Sequence, residues 1–216
     1  MNNVTGHPAE VATLPHKQGG QASPKFAFKP GATCHLHFSQ RLGGLDDRLG
    51  SSFNRTLETW LLLGTLGLRA TRAGGSFSWN ALTDGAPQMP ESLDAWHARC
   101  NDLLKAAPLK FHIANESFAA AEEARRVVSN TIGGRDDREG VDSLARISHP
   151  LGRVFGDRKT SPLRFRIIPI VNRFHIAAVW DDRTAVTGNR ASDLAALVEM
   201  LHAKRKPIGL LLRGMI

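Results

Sequence analysis

The sequence predicts an α+β fold, a sandwich of antiparallel strands and helices, and three observations point there. Apolar residues alternate at a two-residue period in some stretches and recur at three and four residues in others, so strands and helices mix along the chain. Two of the strands, Leu163–Ile168 and Phe174–Val179, are separated by a turn too short for a parallel crossover, which makes them an antiparallel hairpin. A glycine-rich stretch, Gly64 to Gly75, joins the end of a helix to an alternating Phe77/Trp79 segment. A doubly wound parallel sheet fits this order less well.

In chain order, residues 1–25 hold scattered Pro and Gly with almost no periodic apolar residues, and predict a flexible arm. The remainder, 26–216, reads as the folded domain, with a second subdomain beginning near residue 108. Phe26–Phe38 predicts a strand, with His35 and His37 on one face. Ser51 or Ser52 can cap a helix running to Leu63, with Phe53, Leu57, Trp60 and Leu61 at helical spacing. A second helix starts at Glu91-Ser92 and reaches about Ala107, where Pro108 stops it. Leu109–Ala114 predicts a short strand. Glu116–Asn130 predicts a third helix, with Glu122 and Arg126 at the supportive four-residue offset. Residues 131–159 are rich in Gly, Asp and Arg and predict a basic connection. Asn172-Arg173 is the expected turn of the late hairpin. Ser192 caps a last expected helix to about His202, and Ile208–Leu212 closes the chain as an apolar segment.

The chain carries 28 Lys+Arg against 20 Asp+Glu, most of the cations being arginine, so the net charge of +8 favours a polyanionic partner such as nucleic acid. Arginine presents a planar fork of donors that matches phosphate. Cys34 and Cys100 lie far apart with no CxxC pair, which fits a reducing compartment and excludes a disulfide scaffold or a cysteine-rich zinc site. No run reaches the length of a membrane span and no secretory leader is visible, so a cytoplasmic location is expected.

The candidate binding residues follow from this chemistry. Gly64, Gly67, Gly74 and Gly75 let a ligand approach backbone N–H groups, and Ser76, Arg69 and Arg72 flank them. Arg158, Lys159, Arg164 and Arg166 extend the set, the last two on one strand face by the two-residue period; together they can form a track for a phosphate backbone. The alternative is a tight helix-to-strand connection whose arginines are solvated. Phe77, Trp79, Phe165 and Phe174 can stack bases or form core. His35 and His37 are the candidates for general acid–base work on RNA, without a carboxylate or cysteine nearby to complete a metal site. The pairs Asp46-Asp47, Asp136-Asp137 and Asp181-Asp182 sit beside arginines in expected turns. No nucleotide-binding, nucleophile-elbow or zinc-protease motif occurs. No metal and no cofactor is expected.

The stretch Gly64-Thr65-Leu66-Gly67-Leu68-Arg69-Ala70-Thr71-Arg72-Ala73-Gly74-Gly75-Ser76 resembles the glycine-rich loop of the RAMP superfamily, the repeat-associated proteins of CRISPR systems. Arg158-Lys159-Thr160-Ser161-Pro162-Leu163-Arg164-Phe165-Arg166 is similar to the basic strand start that follows in the end-capping subunit of type III-B effector complexes. Thr65 stands where that loop has glycine, and Ala73-Gly74-Gly75 is shifted by a residue. The first strand and helix of the family's unit have no counterpart, which reads as a truncated, split or divergent form. The resemblance implies a ferredoxin-like, RRM-like antiparallel sheet with helices on one face. It also implies a non-catalytic subunit that contacts guide or target RNA beside other effector subunits in antiviral defence. The alternative within the superfamily is a metal-independent endonuclease that processes CRISPR RNA with His35 or His37 as general base.

Overall fold

The computed structural model describes residues 4–5, 9–11, 17–18, 21–22, 25–27, 31–39, 44, 46–67, 73–133, 162–181, 183 and 185. The helix expected from Ser192, the apolar segment Ile208–Leu212 and nearly all of the basic connection lie outside them. The chain divides into two compact units, Met1–Gly50 and Ser51–Ile216.

The first unit holds six short strands: β1 (Val4–Thr5), β2 (Ala9–Val11), β3 (Lys17–Gln18), β4 (Gln21–Ala22), β5 (Lys25–Ala27) and β6 (Thr33–Cys34). They pair as nested antiparallel ladders, β1 with β6, β2 with β5 and β3 with β4, the innermost closing at Gln18↔Gln21. The described residues within 1–25 are those of β1 to β4 and the start of β5, and the division between the units falls after Gly50. Ladder hydrogen bonds use the backbone alone, so they form without the periodic apolar side chains that sequence reading looks for. The strand expected over Phe26–Phe38, with a turn at Pro30-Gly31, is present as β5 and β6 with Gly31 at φ 90° between them, and residues 35–39 carry no strand.

The helix α1 (Asp47–Leu63) crosses the division. It starts ahead of the expected Ser51 or Ser52, because Asp46 Oδ1 accepts the Leu49 N–H at 2.7 Å and caps the first turn. In the second unit follow α2 (Leu93–Leu104), β7 (Leu109–Phe118), α3 (Ala121–Gly133), β8 (Arg164–Ile170) and β9 (Arg173–Asp181). Ser92 caps α2 as its sequence suggests, its hydroxyl accepting the Ala95 N–H at 3.1 Å. The Arg55 guanidinium donates to the Asp102 and Leu103 carbonyls at 3.2 and 3.0 Å, satisfying the C-terminal end of α2 from α1. Arg99 forks onto Glu58 across the same helix pair. On α3, Glu122 pairs with Arg125 at 2.9 Å, one residue short of the expected Arg126.

The sheet has the order β7-β9-β8 and is antiparallel throughout, so the α+β expectation holds. Its two faces separate by residue parity. Phe165 and Ile167 of β8 join Ile176, Ala178 and Trp180 of β9 in a core that includes Ala124 and Val128 of α3. Ile168 and Ile170 join Ala177, Val179 and Ile113 of β7 in a second core with Leu62 and Leu63 of α1 and Trp96, Cys100, Leu103 and Leu104 of α2. Helices therefore cover both faces, a correction to the one-sided arrangement that the resemblance implies. A strand of Arg-Phe-Arg-Ile looks one-sided because Arg at alternate positions imitates a solvent face.

Two irregularities shape the sheet. Between Ile113↔Ala177 and Ser117↔His175, β7 carries more residues than β9, and the Ala114 carbonyl lies 3.1 Å from His175 Nδ1. The β8–β9 turn is Val171-Asn172, closed by Ile170↔Arg173, one residue before the expected turn; both residues have positive φ, 40° and 61°.

Candidate functional site

The glycine-rich stretch begins where α1 ends. The Gly64 N–H donates to the Trp60 carbonyl at 2.7 Å, and a Cβ at Gly64 would collide with the Trp60 indole. Gly67 then turns with φ +81° and stands exposed with open space around it. Across the bend the Leu66 N–H donates to the Gly75 carbonyl at 2.8 Å, which pinches the base shut. Gly75 has φ +73°, and a Cβ there would strike the Leu66 carbonyl, so glycine is required on both counts.

From the pinch the chain wraps the outer edge of β8. Ala73 is buried in the core on the α3 face, while Trp79 lies against the core on the α2 face. Between them the Ser76 hydroxyl accepts the Ile167 N–H at 2.9 Å and donates to the Ala73 carbonyl at 2.9 Å. An edge strand left open is a template for pairing with other chains, and this strap closes part of it. Residues 76–80 carry no strand; the Phe77/Trp79 alternation comes from both rings facing α1 and α2.

Arg166 fastens the strap. Its Nη1 donates to the Gly64 carbonyl at 2.7 Å and its Nη2 to the Phe77 carbonyl at 2.6 Å. The guanidinium lies 4.3 Å from the Phe77 ring centroid, 5.7 Å from that of Trp79 and 5.8 Å from that of Trp96. The residue is 1% exposed, no carboxylate pairs with it among the described residues, and its Nε is buried without a partner. Burial pulls the guanidinium down to about 9, with the Cys100 thiol the opposing influence, and it remains a cation at neutral pH. Burial likewise pushes Cys100 up, from 9.0 to about 12, against the Arg166 charge. The aromatic series Trp60–Phe77–Trp79–Trp96 continues at centroid distances of 5.1, 6.5 and 5.8 Å. The Trp79 and Trp96 indoles donate to the Pro87 and Pro90 carbonyls, which fixes the loop between strap and α2.

Arg166 is thus a correction to the expected basic track. It shares its face with Arg164 as the period requires, but α2 and the strap cover that face at Arg166, while Arg164 at the strand end stays exposed. Gly64, Gly75 and Ser76 spend hydrogen-bonding groups inside the strap; Gly67 is exposed and Gly74 half-buried. Arg69, Arg72, Arg158 and Lys159 fall outside the described residues. Of the four aromatics open to stacking or core, Phe165 is buried in one core, Phe174 packs half-buried against it, and Phe77 and Trp79 flank Arg166.

Comparison with protein-family models, with curated proteins and with solved structures found no match. The chemistry is read from the residues themselves.

His35 and His37 are exposed and follow β6, so they share no strand face. Asp46 is a helix cap and Asp181 an ion-pair partner of Arg183 at 2.5 Å, while Asp136-Asp137 lies outside the described residues. Sequence reading missed Glu116 beside the β7 irregularity: its Oε2 is buried without a partner, and burial first, then Glu123, raise its pKa. Among the described residues no three His, Cys, Asp or Glu gather to hold a metal, and no helix is long and apolar enough to cross a membrane.

Proposed function

We propose that the chain is a non-catalytic RNA-binding subunit of an RNA-guided effector particle, gripping the phosphate backbone with a basic bend. One observation carries the reading: the bend is pinched at Leu66 and Gly75 and strapped to β8, and Arg69 and Arg72 lie in sequence between those two residues. Fastened ends lower the entropy lost when a loop orders on a ligand. The net charge of +8, the exposed Gly67 turn and the exposed Arg164 add to it. The contacting set is Arg69, Arg72, Arg158, Lys159 and Arg164 with the Gly67 and Gly74 backbone. The resemblance to the RAMP superfamily supplies the finer form, a type III CRISPR effector with guide or target RNA and neighbouring subunits as partners.

The test is RNA binding over a range of salt. Each phosphate contact removed lowers the salt slope by about one and weakens unrelated RNA sequences by a similar factor. Arg69→Ala and Arg72→Ala are expected to do both. Metal-free incubation with repeat RNA separates the enzymatic rival: defined cleavage abolished by His35→Ala or His37→Ala would replace this reading with a ribonuclease.

A further inference from the structure

We infer that the strap segment Ala73–Phe77 is a releasable cover of the β8 edge, lifting as one unit while the three-stranded sheet and α2 stay folded; the inference is independent of the RNA-binding reading above. Its hold on β8 differs from that of a paired strand. The Ile167 N–H points away from β9 and donates to the Ser76 hydroxyl, and by the two-residue period the Phe165 N–H points the same way. Pro169, next in that series, has no N–H and ends the run of donors. Residues 76–80 carry no strand. Among the described residues the polar seat consists of the Ser76 hydroxyl, the Arg166 bond to the Phe77 carbonyl and the Leu66–Gly75 closure.

Two features of the closed strap favour release. Ala73 is buried with φ 55°, a left-handed conformation that strains a residue carrying a Cβ, and lifting frees it. The Arg166 guanidinium has a buried Nε without a partner and no carboxylate beside it among the described residues. Water reaching it when the strap lifts offsets part of the lost carbonyl contact. Against release stand the three hydrogen bonds of the seat, the burial of Ala73 and the packing of Phe77 on Trp60. The balance is a dominant closed form with a minor open one. Trp79, held by the Pro87 carbonyl and the edge of Trp96, stays as the fixed far end. Opening bares a short two-donor edge on β8 that the closed strap denies to other chains.

The experiment is native-state amide hydrogen exchange on the full chain, with thiol labelling of buried Cys100 as the marker of global unfolding. In wild type the Leu66 and Ile167 amides are expected to share one protection factor, about a hundredfold below that of the β9 amides, and to exchange while Cys100 stays unlabelled. Ser76→Ala removes the acceptor of Ile167 and leaves both groups of the Leu66–Gly75 bond intact. It is nevertheless expected to lower Leu66 protection about tenfold, with the β9 amides unchanged. Gly75→Ala, whose Cβ strikes the Leu66 carbonyl, is expected to lower Ile167 protection in the same way, and decides the matter if Ser76→Ala does not fold. Leu66 and Ile167 amides exchanging at the β9 rate, in step with Cys100 labelling, would mean that the strap leaves only with the whole fold and would overturn the inference. A response confined to the amide whose own partner was altered would overturn it too, because the strap would then not move as one unit.

Discussion

Arg166 Nη1 and the Gly64 carbonyl meet at 2.7 Å across 102 residues of chain. The bond ties the middle of β8 to the last turn of α1, and its companion to Phe77 at 2.6 Å ties the same guanidinium to the far side of the bend. A glycine-rich loop is often pictured as free backbone; here its ends are fixed by a buried cation.

Arg166→Met is expected to destabilise the chain by about 3 kcal/mol, because two carbonyls lose a charged donor and the aromatic cage loses its cation. Urea unfolding measures this. Arg164→Met, on the same strand face but exposed, is expected to change stability by less than about 0.5 kcal/mol. Equal effects for the two would refute the assignment of their environments.

The glycines divide in the same way. Gly75→Ala combines positive φ with a collision at the Leu66 carbonyl, for an expected cost of about 2–4 kcal/mol. Gly67→Ala meets open space and costs only the left-handed backbone, about 1 kcal/mol. Thermal or urea denaturation of the two variants ranks them.

The sequence made most elements of the second unit legible, but Glu116–Phe118, expected to open the third helix, belong to β7, and α3 begins only at Ala121. Helical spacing and Ser92 located α2, and alternation located β8 and β9 within a residue or two. The role of Arg166 was not legible, because period two shows which residues share a face but not whether a helix lies over it. The nested ladders of the first unit were hidden for a different reason, since backbone pairing leaves no side-chain pattern. Of the four glycines singled out, Gly67 and Gly75 take positive φ, whereas Gly64 makes room for the Trp60 side chain.

Two thiols should separate in reactivity. Cys34 is exposed and Cys100 is buried with its thiol pushed up to about 12. A thiol reagent at mildly alkaline pH is expected to modify Cys34 in the native chain and Cys100 only on unfolding. The same shift sets a pH dependence. The unfolded Cys100 thiol ionises first, so its contribution to stability is intact below 9.0 and is lost as pH rises toward about 12. The stability difference between wild type and Cys100→Ala is therefore expected to shift against wild type between about pH 8 and about pH 10.5.

Val171 holds φ 40° at a hairpin tip and is largely exposed, a β-branched residue in backbone space that favours glycine or asparagine. Val171→Asn is expected to stabilise the chain by about 1 kcal/mol, read as a higher urea midpoint at unchanged slope. A lower midpoint would mean that Val171 makes a stabilising contact there.

The central claim, that the bend grips RNA through its arginines, is tested most directly by the salt dependence of RNA affinity for wild type and Arg72→Ala. Tight binding by wild type, with a slope reduced by about one in the variant, is the predicted result. Identical affinity and identical slope in the two proteins would contradict it.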